Sequence, residues 1–395
     1  MPSIPWVYSV ALLTLSVCSA GFVLLFRFGL KSVFKGRSDE QPTVSIVVPA
    51  RNEEALLPRC LESILGQEDY PPNNIQVIVI DDRSEDRTFE IANSYRERDP
   101  RVTVLQAQGN PKGYSPKKNA LDQGFACATG EILFPMDADC EADPRWLSSI
   151  VRSFEADVSM VSGYAELDRP SLGEPRFIRV QSLELLSLFA CAAGSTSLGW
   201  YLASSGANQG YRRSTWEEIG GFGRIGPLVS GDDDLMLQRI SQKASGRIVF
   251  CGAPRARVLT EPMRSVRAFY EQRKRWGSKY PHHRPSYMAF LSLFYSYNVL
   301  LFFAPLAAFI QPQLVPAVVA ALTIKWTTEY LLLSRAMTLF QRPDLRSLFP
   351  LWAILHVPYI TLMGPVGLLG RVIWKGRAHG TRSRMLQEES VTAGP

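Results

Sequence analysis

Apolar residues are spread unevenly along this chain: long uncharged runs occupy both ends, and a soluble-type alternation fills the middle. From Trp6 to Phe26 there is no charge, enough chain to cross ~30 Å of hydrocarbon as a helix. The first basic residue, Arg27, follows that run, with Lys31, Lys35 and Arg37 close behind. A cleaved secretion signal carries its basic stretch before the apolar run. The pattern therefore predicts a retained anchor whose trailing side is cytoplasmic. After Arg284 no charge occurs until Lys325, and Gln311-Pro312-Gln313 divides that stretch into two predicted helices, Tyr287–Ile310 and Leu314–Ser334. A last apolar run, Leu348 to Trp374, is interrupted by Pro358 and by Gly364-Pro365.

Between the ends, short β-branched runs alternate with helical spacing. Val44–Val48, Gln76–Ile80, Val102–Leu105 and Ile132–Met136 predict strands, and Glu53–Leu65 and Arg87–Arg98 predict helices. That alternation predicts an α/β fold, a mostly parallel sheet flanked by helices. Its expected layout is an anchor over 1–30, a cytoplasmic domain over 43–280, membrane helices over 285–376 and a polar tail over 377–395.

Net charge of +6 at pH 7 invites a nucleic-acid reading. The basic residues, however, crowd beside the apolar runs (Arg27 to Arg37, Arg264 to Arg284, Arg371 to Arg384). Charge so placed is a topology signal and a lipid-surface attraction, so a lipid bilayer is the expected partner and nucleic acid is not. The expected location is an integral protein of the cell inner membrane. Six scattered cysteines without a CxxC pair, and only four histidines, give no disulfide framework and no zinc spacing.

In sheets of this kind ligands bind outside the carboxyl ends of the strands. There the chain carries Pro49-Ala50-Arg51-Asn52-Glu53, then Asp81-Asp82-Arg83-Ser84, then Asp137-Ala138-Asp139. Two carboxylates at alternate positions can hold one hard divalent cation, Mg²⁺ or Mn²⁺, whose shell is completed by phosphate oxygens and water. Lys117-Lys118, ahead of a helix, could meet the remaining phosphate charge. The turn after the first strand has no glycine, which excludes a dinucleotide-binding fingerprint, and the P-loop pattern is absent. Farther on, Gly231-Asp232-Asp233-Asp234 groups carboxylates before a helical run. Repulsion among them suits a general base, although one of them could simply cap the helix. Gln272-Arg273-Lys274-Arg275-Trp276 lies just before the membrane.

Together these motifs resemble family 2 glycosyltransferases with the GT-A fold, from about Val44 to Trp276. Lys117-Lys118-Asn119-Ala120-Leu121, Gly206-Ala207-Asn208 with Tyr211-Arg212-Arg213, and Gly220-Gly221-Phe222 add to the likeness. The resemblance implies inverting transfer from a nucleotide-sugar donor, UDP-linked. It implies donor contacts by Pro49, Arg51, Glu53, Asp81, Asp82, Lys117 and Asp137, and a divalent metal on Asp139 with Asp137. Gln272, Arg275 and Trp276 would close over the diphosphate and border the acceptor site, and Asn208, Tyr211 and Arg212 would lie on the acceptor side. The catalytic base falls on Asp232 or Asp233: register with the following Asp-Leu favours Asp232, while plain acidic chemistry allows Asp233.

The acceptor is a lipid or a glycan. Few apolar segments are available to enclose a polymer channel, which favours one sugar added to a membrane lipid over processive polysaccharide synthesis. A nucleotide-sugar-binding scaffold is the non-enzyme alternative. Three spanning C-terminal segments would carry the last basic cluster outside, so the final run is expected to bend back at Gly364-Pro365 or to lie in the interface, leaving the tail cytoplasmic. Lys325 and Glu329, four residues apart in an apolar segment, are functional candidates by position but are expected to neutralise each other or to let Lys325 reach an interface. His282 and His283 are expected at the membrane interface.

Overall fold

The structure is a computed structural model that describes residues 4–167 and 175–367, with the backbone of 372–374 and 377–379. The chain opens with α1 (Ile4–Gly29). It then alternates through β1 (Val44–Ala50), α2 (Leu57–Leu65), β2 (Ile75–Asp81), α3 (Thr88–Arg98), β3 (Val102–Gln106), α4 (Pro116–Ala126) and β4 (Ile132–Pro135). Helix α2 begins four residues later than its sequence pattern predicts, because residues from Asn52 onward are drawn into a loop that bonds to the end of β2.

The second half is less regular. It runs through β5 (Cys140–Ala142), α5 (Trp146–Val151), β6 (Val158–Ser162), β7 (Ala165–Leu167), α6 (Arg176–Thr196), β8 (Gln209–Arg212) and α7 (Arg213–Ile219). It continues with α8 (Asp234–Lys243), β9 (Arg247–Phe250), β10 (Val258–Thr260) and α9 (Val266–Gly277). The main sheet has strand order β3-β2-β1-β4-β8-β6-β9. It is parallel except at β8, which runs against both of its neighbours. A small sheet, β5-β10-β7, sits beside it.

Successive residues of the central strands enter different cores, which is why they form unbroken apolar runs. Ile46, Val48, Val77 and Val79 face α2, α5 and α6, whereas Val47, Ile78 and Ile80 face α4 and α8. Each such side chain, once buried, contributes ~1.5–3 kcal/mol of hydrophobic stabilisation.

The first of these cores extends into the apolar ends of the chain. Phe26 near the end of α1 and Leu30 just after it belong to it, as do Leu332, Leu333, Ala336 and Met337 of α11 (Val315–Leu339). A close backbone crossing seats α1 on the domain: a Cβ on Gly194 of α6 would lie 2.3 Å from the Phe26 carbonyl oxygen. Helices α10 (Pro285–Ile310) and α11 join at Gln311-Pro312-Gln313 and pack on α1 through Leu12, Tyr297, Leu301 and Ala321. On α11, Lys325 meets Glu329 at 2.5 Å. Helix α12 (Phe349–Met363) stops at Gly364, where the final apolar run was expected to bend. Two short strands, β11 (Val372–Trp374) and β12 (Arg377–His379), follow as an antiparallel pair, and β11 lies against α9. The polar tail beyond His379 lies outside the described residues.

Among the described residues, four helical stretches are long and apolar enough to cross a membrane: Ile4–Ser32, Arg176–Thr196, Pro285–Ile310 and Pro343–Met363. The second is α6, which lies between strands of the domain and is 61% covered by protein over its apolar window, so it serves as a core helix. Exposed Val17, Leu25, Phe303, Leu306, Phe309 and Ile354 give the others an apolar outer surface.

Candidate active site

The loops that follow β1 and β2 hold each other. Arg51 donates from Nη1 to the Asp82 carbonyl at 2.8 Å and to that of Arg83 at 3.2 Å. The Asn52 amide donates to the Ser84 hydroxyl at 3.1 Å, and the Glu85 amide donates to Asn52 Oδ1 at 2.8 Å. Asn52 and Arg83 both adopt positive φ, 52° and 56°, a conformation that non-glycine residues keep when their surroundings demand it. This clasp places Pro49, Arg51, Glu53 and Asp82 on one wall of a cavity at the sheet's carboxyl edge. Asp81 is not on that wall; it is buried, and its carboxylate accepts from the Ser84 amide at 3.3 Å.

The ladder between β1 and β4 runs one bond further, from the Met136 amide to the Val47 carbonyl, before the chain turns. Asp137 and Asp139 therefore emerge into the cavity. Across from them, Pro116 starts α4, and Lys117 in its first turn reaches both acidic clusters. Its Nζ is 2.5 Å from Asp137 and 2.6 Å from Asp232. Burial works against the ammonium charge, but the two carboxylates outweigh it and raise the Lys117 pKa. Lys118 does not share this role. It is buried facing away from the cavity and donates to the Leu228 and Ser230 carbonyls at 2.5 and 2.9 Å, bracing the loop before the acidic cluster.

The three adjacent carboxylates have different tasks. Asp233 caps α8 by accepting from the Asp234 amide at 2.7 Å. Lys279, beyond α9, pairs with Asp233 at 3.0 Å and Asp234 at 2.8 Å. Burial and the neighbouring Asp233 push Asp234 up, whereas Lys279 keeps Asp233 low despite its burial. Asp232 alone of the three pairs with Lys117. Burial raises its proton affinity, Lys117 lowers it, and the net is a depressed pKa. Gly231, at φ 91°, provides the left-handed turn that aims this cluster. Just beyond Lys279, His283 is buried against Gln238 at 3.0 Å, so it is a packed residue and not an interfacial one.

Helix α9 forms the remaining wall. Ser265 caps it by accepting from the Ala268 amide at 3.1 Å, and Gln272, Arg273, Arg275 and Trp276 line the cavity. Three expected acceptor-side residues are elsewhere. Asn208 is fully buried, accepting from Trp146 Nε1 and donating to the Tyr164 and Ala256 carbonyls, so it satisfies core backbone. Tyr211 is buried and stacked on Trp216. Arg212 spends its guanidinium on Glu131 and on the carbonyls of Phe154, Glu155 and Val158.

Among the described residues no group of three or more histidine, cysteine or acidic side chains could hold a metal by itself. Asp137 and Asp139 nevertheless fit a hard divalent cation that draws most of its ligands from a bound diphosphate, as Mg²⁺ does. Facing them, Lys117 and Arg275 supply fixed positive charge. The cavity thus joins two carboxylates at alternate positions, the cationic Lys117 and Arg275, and the separate carboxylate of Asp232.

A mixed sheet of this order with such a cavity at its carboxyl edge defines a GT-A-type domain. The same fold is seen in a mannosyltransferase from Pyrobaculum calidifontis in complex with GDP-Man and Mn²⁺, at TM-score 0.54 and 20% identity over 90% of this chain and 99% of that one. The chain belongs to the family 2 glycosyltransferases: the model of glycosyl transferase family 2 matches residues 45–186, and that of glycosyl transferase family group 2 matches residues 132–364. A beta-monoglucosyldiacylglycerol synthase of Trichormus variabilis is 27% identical over 60% of this chain and 48% of its own length. Glycosyltransferase AglE of Haloferax volcanii is 26% identical over 49% of this chain and 59% of its own. The chain thus spans about half the length of the curated relatives it matches.

Proposed function

We propose that the chain transfers one sugar from a UDP-linked donor to a membrane lipid, with inversion at the anomeric carbon. The observation that carries this reading is Lys117 Nζ held between Asp137 and Asp232, a cation suited to a diphosphate next to a carboxylate suited to act as base. Asp232 takes the proton of the acceptor hydroxyl as that oxygen attacks the anomeric carbon. The bond from that carbon to the nucleotide phosphate oxygen breaks, and the leaving charge falls on Lys117 and Arg275. A diphosphate that shares the charge of Lys117 also returns basicity to Asp232. Asp139 and Asp137 would hold the divalent metal, which when bound supplies further neutralisation of the diphosphate.

The lipid acceptor is supported by the long apolar helices beside the domain and by the glycolipid synthase relative. Basic residues after α1 favour a cytoplasmic catalytic domain. The contact of β11 with α9 supports a final segment that returns to that side. The test is UDP release by purified full-length protein in detergent over a panel of UDP-sugars, with Mg²⁺ or Mn²⁺ and membrane lipids, beside Asp139→Ala. Metal-dependent turnover with one sugar and a labelled glycolipid product is expected. UDP binding without turnover under any condition would favour the scaffold reading instead.

A further inference from the structure

Arg273 is the second residue of the Gln272–Trp276 motif, and its guanidinium touches more of the site than any rule of that motif requires. It lies 4.1 Å from the ring centroid of Trp276 and 4.3 Å from that of Phe269, one helical turn to either side. Its Nη1 donates to the side-chain oxygen of Gln272. Its Nη2 pairs with Glu184 of α6, and its Nε donates to Glu184 at 3.2 Å and to the Tyr359 hydroxyl at 3.1 Å. Tyr359 belongs to α12 and donates in turn to Glu184 at 2.8 Å. The ion pair itself is nearly dry: the Arg273 and Glu184 side chains are 6% and 9% exposed.

The other side of α12 is fixed to the apolar bundle. The Thr361 hydroxyl donates to the Asn298 carbonyl of α10 at 3.2 Å, and the Tyr295 hydroxyl donates to the Thr361 carbonyl at 3.3 Å. One hydroxyl, on Tyr359, therefore joins a helix packed in the bundle to the guanidinium on which Trp276 and Gln272 rest. Burying an arginine–carboxylate pair here gains little net stability. A planar fork held between two rings does, however, fix direction, which a lysine could not do.

We propose that Arg273 is a positioning residue: locked by Glu184 and by Tyr359 of α12, it holds Trp276 and Gln272 in the pose that receives the acceptor. This rests on the transfer reading above. Because Arg273 acts through its neighbours, loss of its geometry weakens acceptor capture before it weakens nucleotide binding.

The experiment compares full-length protein with Arg273→Lys and Tyr359→Phe in lipid nanodiscs, measuring KM for the lipid acceptor, kcat, and the stoichiometry of UDP binding. Arg273→Lys keeps the charge and loses the stack. It is expected to raise the acceptor KM about tenfold at unchanged UDP stoichiometry, within the cost of misplacing a substrate-positioning group. Tyr359→Phe keeps the ring and should shift KM in the same direction by a smaller factor, and the double variant should fall short of the product of the two. A merely structural role would instead lower kcat in step with the UDP-binding fraction and leave KM alone. That result in either variant overturns the proposal. If Arg273→Lys does not fold, Tyr359→Phe alone decides. Failure of the wild type to glycosylate any lipid would overturn the transfer reading, which the wild-type arm reports separately.

Discussion

Replacing Asp232 with Asn removes one charge and almost no volume. In the structure, Asp232 Oδ2 accepts from Lys117 at 2.6 Å, and the Asp232 carbonyl accepts from Gln209 Nε2 at 2.8 Å. The second bond is untouched by the substitution, and Lys117 keeps Asp137 as a partner. The loop should therefore keep its position, and the loss should fall on proton abstraction. A positioned general base contributes roughly 10²–10⁴ in rate, or ~3–5 kcal/mol in the barrier. The matching substitution Asp233→Asn acts on a different quantity. It makes the charged cap on α8 neutral and takes from Lys279 one of its two carboxylates, leaving Asp234 at 2.8 Å. A charge-assisted hydrogen bond is worth ~1.5–3 kcal/mol, and these part-buried ones lie at the low end. Asp232→Asn should thus lower kcat by at least about a hundredfold with little change in melting temperature. Asp233→Asn should lower the melting temperature and cost activity chiefly through the unfolded fraction. Initial rates of UDP release, normalised to UDP-binding sites, and melting curves in the same detergent separate the two. A near-normal rate in Asp232→Asn, with a large rate loss at unchanged stability in Asp233→Asn, would refute the assignment of the base.

Burial, with Lys279 beside it, pushes the His283 imidazole from 6.5 down to about 4. Between those values the unfolded chain binds the extra proton, so this group's contribution is intact above pH 6.5 and is lost as pH falls towards 4. From pH 7 to pH 5 the loss is about 2 kcal/mol, and His283→Gln should flatten the melting-temperature profile over that span; an unchanged profile would remove His283 from the account. Gly194→Leu forces a Cβ to within 2.3 Å of the Phe26 carbonyl. It should separate α1 from α6, seen as faster proteolysis between Phe28 and Thr43; wild-type resistance would show that the crossing yields easily. Arg342→Met strips Glu166 of its 2.9 Å partner, both residues being almost wholly buried. Glu166 keeps Arg257 at 3.8 Å, so the cost should stay below the ~3–5 kcal/mol of a buried charge that loses its whole pairing; a melting temperature within error of wild type would contradict that role.

How legible the molecule is from its sequence depends on the range of the interactions involved. The strands β1, β2 and β4 are written locally, because each is an apolar run buried on both faces, and the charged turns after them mark the strand ends; β3 is legible from its alternating burial instead. The antiparallel β8 carries no such mark: Gln209-Gly210-Tyr211-Arg212 is short and mixed in polarity, and its direction is set by pairing with β4 and β6. In the same way, a polar residue near a motif looks alike whether it faces a ligand or closes a gap in the core. Asn208 was expected on the acceptor side for that reason, yet its amide saturates two buried carbonyls. Lys118 shows the same ambiguity within one dipeptide, since helix geometry turns adjacent side chains about 100° apart. The pairing of Lys279 with Asp233 and Asp234 spans more than forty residues, and no local spacing predicts it.

The two halves of the cavity derive their rigidity from different sources. The wall carrying Pro49, Asp82, Asp137 and Asp139 hangs from the parallel strands, with every position set by the register of β1 against β2 and β4. The opposite wall is tied to residues next to or within the apolar helices. Lys279, six residues before α10, holds the acidic cluster. Arg342, between α11 and α12, holds Glu166 on β7, a strand whose Ala165 and Leu167 line the cavity. Tyr359 of α12 holds Arg273 on α9. A nucleotide donor arriving from water would meet a surface organised mostly by the sheet, with α9 supplying Arg275. An acceptor arriving from the bilayer would meet one whose geometry is set by the helices it arrives beside. That asymmetry yields a common expectation for perturbations of the bundle: changes at Tyr359, Arg342 or the α1–α6 crossing should alter acceptor handling and stability while leaving UDP affinity nearly constant. Parallel losses in UDP affinity would mean that the two walls move as one.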